Sequence, residues 1–177
     1  MGHLLSTLTT ERLKLRPLKM TDRKEIFMLR SDPEINQYLG RSLCTSIGDA
    51  EAFIQKIISS NLVSYYWVIT HPPSDTLVGT ICLFDVNNNK GSCEIGFELI
   101  PGFQGKGIMT EALKAVIDFA FQHLGISSIT AAVHQDNHRS RSLLDRFEFS
   151  PTQDQTDLDP GMILLMLTHD NINLIKY

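Results

Sequence analysis

Apolar and polar residues trade places along this chain with two different periods. Leu13 and Leu15 alternate with Lys14 and Arg16, a period of two that predicts a first strand, which Pro17 ends or places at a sheet edge. Thr21-Asp22 reads as a helix start: Glu25 stands at capping-box spacing from Asp22, Ile26, Phe27, Leu29 and Arg30 follow, and Ser31-Asp32-Pro33 breaks the run. Over 46–60, Ala50, Phe53, Ile54, Ile57 and Ile58 line one face of a second helix. The middle is strand-like. Tyr65-Tyr66-Trp67-Val68-Ile69 is aromatic and β-branched, and a loop at His71-Pro72-Pro73-Ser74-Asp75 follows it. Runs at 77–86 and 92–100, joined by Asn87-Asn88-Asn89-Lys90, predict an antiparallel hairpin. A long helix is expected over 107–124, with Met109, Ala112, Leu113, Val116, Ala120 and Leu124 at helical spacing and Gly125 as its stop. A short strand at 129–133, a helix at 139–147 capped by Asn137 or its neighbour, a polar loop with Asp154, Asp157 and Asp159, and a buried strand at 162–167 complete the pattern. Strands alternating with helices predict an α/β (α+β) fold.

Composition changes this picture little. With 177 residues, 42% hydrophobic and 20% charged, the chain suits one domain over 1–177, with 1–7 expected as a flexible N-terminus. A net charge of −4 argues against non-specific nucleic-acid binding. Cys44, Cys82 and Cys93 make an odd count without CxxC spacing, all beside apolar residues. Reduced thiols in a core and a cytoplasmic protein are expected. No apolar run reaches about 18 residues and no signal peptide stands at the start, so no membrane partner is expected. The start Met1-Gly2-His3-Leu4-Leu5-Ser6 fits the loose myristoylation pattern and reads equally as a cloning scar.

The chemistry concentrates at Pro101-Gly102-Phe103-Gln104-Gly105-Lys106-Gly107-Ile108-Met109-Thr110-Glu111. Two glycines flank Lys106 where a helix begins. A helix start exposes unpaired N–H groups and about half a positive charge, and glycine lets a ligand approach the backbone. The segment therefore suits an anion such as a pyrophosphate, or is a plain Gly-rich turn into a helix. A P-loop fails, because Lys106 is followed by Gly107 and no Gly stands five residues before Gly105. A dinucleotide fingerprint is weak, because position 110 is Thr and the preceding strands form a hairpin.

Gln104-Gly105-Lys106-Gly107-Ile108-Met109 resembles the acyl-CoA pyrophosphate loop of the GNAT N-acetyltransferases, Q/R-x-x-G-x-G/A, with Met109 departing from the final Gly/Ala. Thr9-Thr10-Glu11-Arg12-Leu13-Lys14-Leu15-Arg16-Pro17-Leu18 with Asp22, Glu94-Ile95-Gly96-Phe97, and Asn137 through Phe149 resemble, in order, segments of the ribosomal-protein N-terminal acetyltransferase (RimJ/RimL-type) branch. Glu148 replaces a usual Gly in the last of these. The resemblance spans about residues 8–167. It implies a single GNAT-like domain, a mixed twisted sheet of about six to seven strands flanked by about four helices, and a strand pair splayed at the acyl-CoA cleft. It further implies acetyl-CoA as co-substrate, no metal, and transfer of the acetyl group to a primary amine by direct attack in a ternary complex. Coenzyme contacts are expected at Phe97, Leu99, Ile100, Gln104, Gly105, Lys106, Gly107, Ile108, Met109, Asn137 and Ser140.

Acetyl transfer needs a base for the amine, donors for the oxyanion and an acid for the thiolate. The resemblance places a backbone donor near 97–99 and makes Glu94 the candidate base, through water, with Glu98 four residues on as its rival. Glu94 facing solvent or pairing with a lysine is the structural alternative. The usual tyrosine acid falls at Leu144, which cannot donate, and Ser140 stands as its substitute or simply packs its helix. Asn137 holds the pantetheine arm, caps the helix, or does both. His134 and His138 have metal-like spacing without a completing ligand and are expected at a surface or substrate edge. Trp67 with Tyr65 and Tyr66 is expected in strand packing. At pH 7 an α-amine costs about 1.4 kcal/mol to deprotonate and a lysine amine about 4.6. That favours a protein or peptide N-terminus as acceptor over a small-molecule amine (antibiotic, polyamine or amino acid). A non-catalytic acyl-CoA sensor is the second class, and a monomer or homodimer is expected.

Overall fold

The computed structural model describes residues 5–59, 65–153, 155 and 158–172. The Met1-Gly2 start, Ser60, and Asp154 and Asp157 of the polar loop lie outside them. The strands are β1 (Leu8–Thr9), β2 (Lys14–Pro17), β3 (Tyr65–Thr70), β4 (Leu77–Asn87), β5 (Ser92–Leu99), β6 (Ser128–His134), β7 (Ser150–Pro151) and β8 (Met162–Thr168). They hydrogen-bond in the order β1-β2-β3-β4-β5-β6-β8-β7. The helices are α1 (Arg23–Ser31), α2 (Pro33–Asn36), α3 (Ile47–Ser59), α4 (Ile108–Gln122), α5 (His138–Arg146) and α6 (His169–Ile172). β5 and β6 run parallel, while β1/β2, β2/β3, β6/β8 and β7/β8 are antiparallel, so the sheet is mixed as expected. Among the described residues no helix is long and apolar enough to cross a membrane. The chain clusters into two compact units: one runs to Cys82 and includes Phe97–Val116, and the other holds Leu83–Gly96 and everything from Ile117 onward.

In the first unit α1 and α3 bury Ile26, Leu29, Ala50 and Ile54 with Leu18, Val68 and Leu77. Ile58, expected on the same stripe as Ile54, sits at its edge and is half exposed. Trp67 is fully buried and its ring stacks on Tyr65, which is strand packing. Asp22 holds the N-cap position of α1, as expected, but its side chain makes no capping bond to that helix. A 3-10 turn (Met20–Asp22) comes first, and the Asp22 carboxylate accepts Arg16 Nη1 at 2.9 Å, Arg16 Nη2 at 2.7 Å and the Lys19 N–H at 2.8 Å. Arg16 is 3% exposed, and its remaining donors reach Pro17 O and the carboxylate and carbonyl of Asp75. Every guanidinium N–H has an acceptor, which is what makes a buried cation tolerable. The break at Ser31-Asp32-Pro33 is also a start. Asp32 is extended, its carboxylate accepts the N–H groups of Glu34 and Ile35, and Pro33 opens α2.

In the second unit β6 pairs with β8 along its whole length, from Ser128↔Thr168 to His134↔Met162. The hairpin turn works through Asn87, whose side chain accepts the Lys90 N–H, and Gly91, whose φ is +62°. Cys93 is buried, and burial with the neighbouring Glu94 charge pushes its thiol up to about 12. Cys44 and Cys82, expected in the core, are half-buried.

After α5, Phe147 is followed by Glu148 at φ +59°. The Glu148 N–H bonds Asp145 O at 3.0 Å, the Phe149 N–H bonds Leu144 O at 3.2 Å, and Leu144 and Phe149 are both buried. That is the hydrogen-bond pattern of a Schellman stop, built on a residue with a Cβ. Left-handed backbone costs a non-glycine residue about 1–2 kcal/mol. Glu148→Gly is therefore expected to raise the unfolding free energy by about 1 kcal/mol in urea titration, with an unchanged m-value.

Candidate active site

The Gly-rich segment lies in the first unit and forms one continuous turn into α4. β5 ends at Leu99, the Ile100 N–H bonds Val78 O at 2.9 Å, and a 3-10 turn (Pro101–Phe103) leads to Gln104. Gly105 and Gly107 have φ of +73° and +75°. A Cβ on Gly105 would meet nothing within 4 Å, so backbone conformation rather than crowding by the protein selects glycine there.

The polar bonds of this segment have a consistent sense. Gln104 Nε2 donates to Leu99 O at 3.1 Å, Lys106 Nζ to Gly102 O at 2.8 Å, and Arg12 Nη1 to Lys106 O at 3.2 Å. Side chains thus satisfy carbonyls. The N–H groups of Gly105, Lys106, Gly107, Ile108 and Met109 make no hydrogen bond among the described residues; the first helical bond is Glu111 N–H to Gly107 O. Ile108 and Met109 bury their side chains, at 3% and 8% exposure. Met109 therefore contributes its amide to this run while its bulk lies in the core. Several free amides at the positive end of a helix form a cradle for an anion.

Sequence reading missed what moors this cradle. Glu111, in the first turn of α4, accepts the Thr10 hydroxyl at 2.5 Å, the Arg12 N–H at 2.9 Å and Arg12 Nε at 2.7 Å. The partners are about a hundred positions apart, and no local pattern joins them.

Alternation along β5 sets Glu94, Gly96 and Glu98 on one face and Cys93, Ile95, Phe97 and Leu99 on the other. The two acids have different surroundings. Glu98, in the first unit, is 9% exposed and receives both Arg41 Nη groups at 2.5 and 3.4 Å and the Thr80 hydroxyl at 3.4 Å. Arg41 is itself held by Asn36 Oδ1 at 2.6 Å. The nearby Tyr66 phenol is pushed up, by burial first and then by the Glu98 charge. Glu94, in the second unit, is half-buried with no ion pair among the described residues. Burial and the nearby Asp85 raise its carboxyl above the ordinary value, against a hydrogen bond from the Ala132 N–H. The parallel β5–β6 register ends at Glu94↔Thr130, so the Glu94 side chain occupies the place where the pairing stops.

Asn137 and Ser140 come together at the start of α5. Asn137 Oδ1 accepts the Ser140 N–H at 3.1 Å, so Asn137 is the helix cap, with its amide nitrogen unbonded among the described residues. The half-buried Ser140 has no hydroxyl partner among them. Leu144 is fully packed in the core. His134 is half-buried, its Nδ1 accepting the Asp136 N–H at 3.2 Å. No hydrogen bond links Glu94 to Asn137 or Ser140 among the described residues.

Residues 12–150 match a family described as an acetyltransferase (GNAT) domain. "Uncharacterized N-acetyltransferase p20" of Bacillus licheniformis is 31% identical over 147 residues, 82% of this chain and 83% of that protein. "Uncharacterized N-acetyltransferase YoaA" of Bacillus subtilis is 32% identical over 144 residues, 80% and 81% of the two chains. Among solved structures, a spermidine N-acetyltransferase from Vibrio cholerae in complex with CoA and spermine is similar at a TM-score of 0.79 and 20% identity, over 93% of this chain and 99% of that one.

A carboxyl raised in the folded state favours its protonated form there, so this contribution to stability falls as pH rises from the unfolded pKa through the folded one. Glu94→Gln is accordingly expected to melt above the parent at pH 7 to 8. The gap should close as pH drops below the ordinary carboxylate range, and thermal melts across pH 4 to 8 read it directly.

Proposed function

The chain belongs to the GNAT acetyltransferase family and is an N-acetyltransferase that uses acetyl-CoA, and from that premise we propose that its acceptor is an α-amino group at the end of a protein or peptide. The observation that carries the reading is the contrast between Glu94 and Glu98. Glu98 has its oxygens engaged by Arg41 and Thr80, whereas Glu94 has no cation partner among the described residues and a raised proton affinity. A lone carboxylate is a modest base, and it suits an amine costing about 1.4 kcal/mol to deprotonate better than one costing about 4.6. The RimJ/RimL-type motifs at 9–18, 94–97 and 137–149 support the same acceptor class.

In this reading the free amides of residues 105–109 take the diphosphate of acetyl-CoA, and Gly107 is needed because any side chain there must adopt φ of +75° beside Arg12. Phe97, Leu99 and Ile100 serve the pantetheine arm by their backbone, and Asn137 serves it by the amide nitrogen that capping leaves free. Glu94 takes the ammonium proton through water. The neutral nitrogen attacks the thioester carbonyl, the carbon–sulfur bond breaks, and the Ser140 hydroxyl supplies a proton to the departing thiolate.

A polyamine acceptor is the second reading, favoured by the spermidine N-acetyltransferase fold neighbour and by the acids on one face of β5. Thiol release from acetyl-CoA across an acceptor panel separates the two. Peptides with a free N-terminus should exceed spermidine at least tenfold in kcat/KM, and N-terminal formylation should abolish their turnover; a preference for spermidine reverses the assignment.

For the base, Glu94→Gln should lower kcat about 100-fold with coenzyme affinity unchanged. In the parent enzyme the rate should climb as pH rises through a carboxyl ionisation set above the ordinary range, and this limb should vanish in the variant. Unchanged kinetics would remove Glu94 from the reaction.

A further inference from the structure

We propose that Arg12, locked in place by Glu111, is the positioning residue that aims the amide cradle at the coenzyme's diphosphate. The inference rests on the coenzyme reading of residues 105–109 and adds to it two residues outside that loop.

The geometry turns on one peptide plane. Arg12 Nη1 donates to Lys106 O at 3.2 Å. In a planar trans peptide the C=O and the following N–H point in opposite directions. Holding the Lys106 carbonyl toward Arg12 therefore turns the Gly107 N–H the other way, among the amides that have no protein partner. Glycine backbone at φ +75° is otherwise free to rotate this plane. The guanidinium also lies alongside the turn: a Cβ on Gly107 would stand 3.3 Å from Arg12 Nη2.

Arg12 is a long, half-exposed side chain, and Glu111 removes its freedom. The Glu111 carboxylate holds Arg12 at both Nε and the backbone N–H. It also receives the Thr10 hydroxyl, which in turn accepts the Leu13 N–H at 3.0 Å. Thr10 N–H bonds Leu13 O at 3.0 Å, so the turn between β1 and β2 is closed on itself before it is tied to α4. Burial pushes the Glu111 carboxyl up, but the bonds from Thr10 and Arg12 and the guanidinium charge outweigh it and hold the group below its ordinary value.

Charge gives Arg12 a second task. A carboxylate in the first turn of α4 would repel an anion bound at the same helix end, within a Debye length of about 8–10 Å. Pairing with Arg12 neutralises Glu111 where the diphosphate is to sit. A lysine could supply charge but not the fork that spans Glu111 and the Lys106 carbonyl together.

The test compares acetyl-CoA with S-acetyl-pantetheine, which carries the thioester without the diphosphate. In Arg12→Ala and Glu111→Gln, KM and the calorimetric Kd for acetyl-CoA should rise about tenfold, with kcat at saturation within twofold of the parent. The kcat/KM for S-acetyl-pantetheine should stay unchanged. Arg12→Lys should recover part of the loss, and it replaces Arg12→Ala if that variant fails to fold. Equal losses on both thioesters, or acetyl-CoA affinity unchanged in the variants, would overturn the role of Arg12. Absence of CoA binding by the unmutated protein would instead overturn the cradle reading on which this one rests.

Discussion

Much of this structure depends on leaving backbone amides unsatisfied at one helix start. Every α-helix begins with N–H groups that have no partner within it, and side chains or water normally fill the gap. At α4, Gln104 Nε2, Lys106 Nζ and Arg12 Nη1 each donate to a carbonyl. Glu111, an acceptor well placed to answer its own helix start, is turned instead to Thr10 and Arg12. Several carbonyls of the loop thus have donors, while the amides of residues 105–109 have no acceptor among the described residues. That asymmetry fits an acyl-CoA enzyme, because a diphosphate offers acceptors and no backbone donors.

The acids of β5 illustrate how one strand can carry two unlike carboxylates. Glu94 and Glu98 are four residues apart on the same face. A buried carboxylate needs partners for its charge. Arg41 and Thr80 answer the charge of Glu98, and Arg41 is fixed in turn by Asn36, whose own amide donates to Leu29 O and Asp32 O. Glu94 has no such answer among the described residues: the amide of Ala132 opposes burial and the Asp85 charge. One carboxylate is held by a cation and a hydroxyl, while the other is raised by burial and a like charge, and a raised carboxyl is the environment the proposed base requires.

What could be read from the chain was whatever expresses itself locally. One-sided burial writes its period into a sequence, so the hairpin, the long helix and the strand at 162–167 were legible to within two residues at most boundaries. The glycines around Lys106 were legible because positive φ at a helix entry leaves few other residue choices. Two-residue strands such as β1 and β7, and the one-turn α2, are too short to carry a period. Asp22 does stand at the N-cap of α1, but capping and ion pairing favour the same residue type, and its carboxylate goes to Arg16, six residues earlier. Strand parity for Glu94 follows once β5 is fixed, but its electrostatics come from Asp85 and Ala132 on neighbouring strands. Arg12 and Glu111 meet only through the fold, and no spacing rule could have paired them.

The two helices that follow β5 and β6 share a division of labour. In α4 the first turn presents amides while Ile108, Met109, Ala112 and Leu113 pack inward. In α5 the first turn presents Asn137 and Ser140 while Leu144 packs inward and the last turn closes in a Schellman stop. Helix N-termini supply directed donors at a rigid position, and the apolar remainder of each helix supplies the rigidity. Departures from the family pattern fall where this arrangement can absorb them. Met109 puts its volume into the core and leaves its amide in the cradle. Glu148 takes the left-handed position of a glycine, and the hydrogen bonds that end α5 form around it. Leu144 is the departure with chemical consequence, since a buried leucine cannot donate a proton, and the hydroxyl one turn earlier on the same helix is that of Ser140.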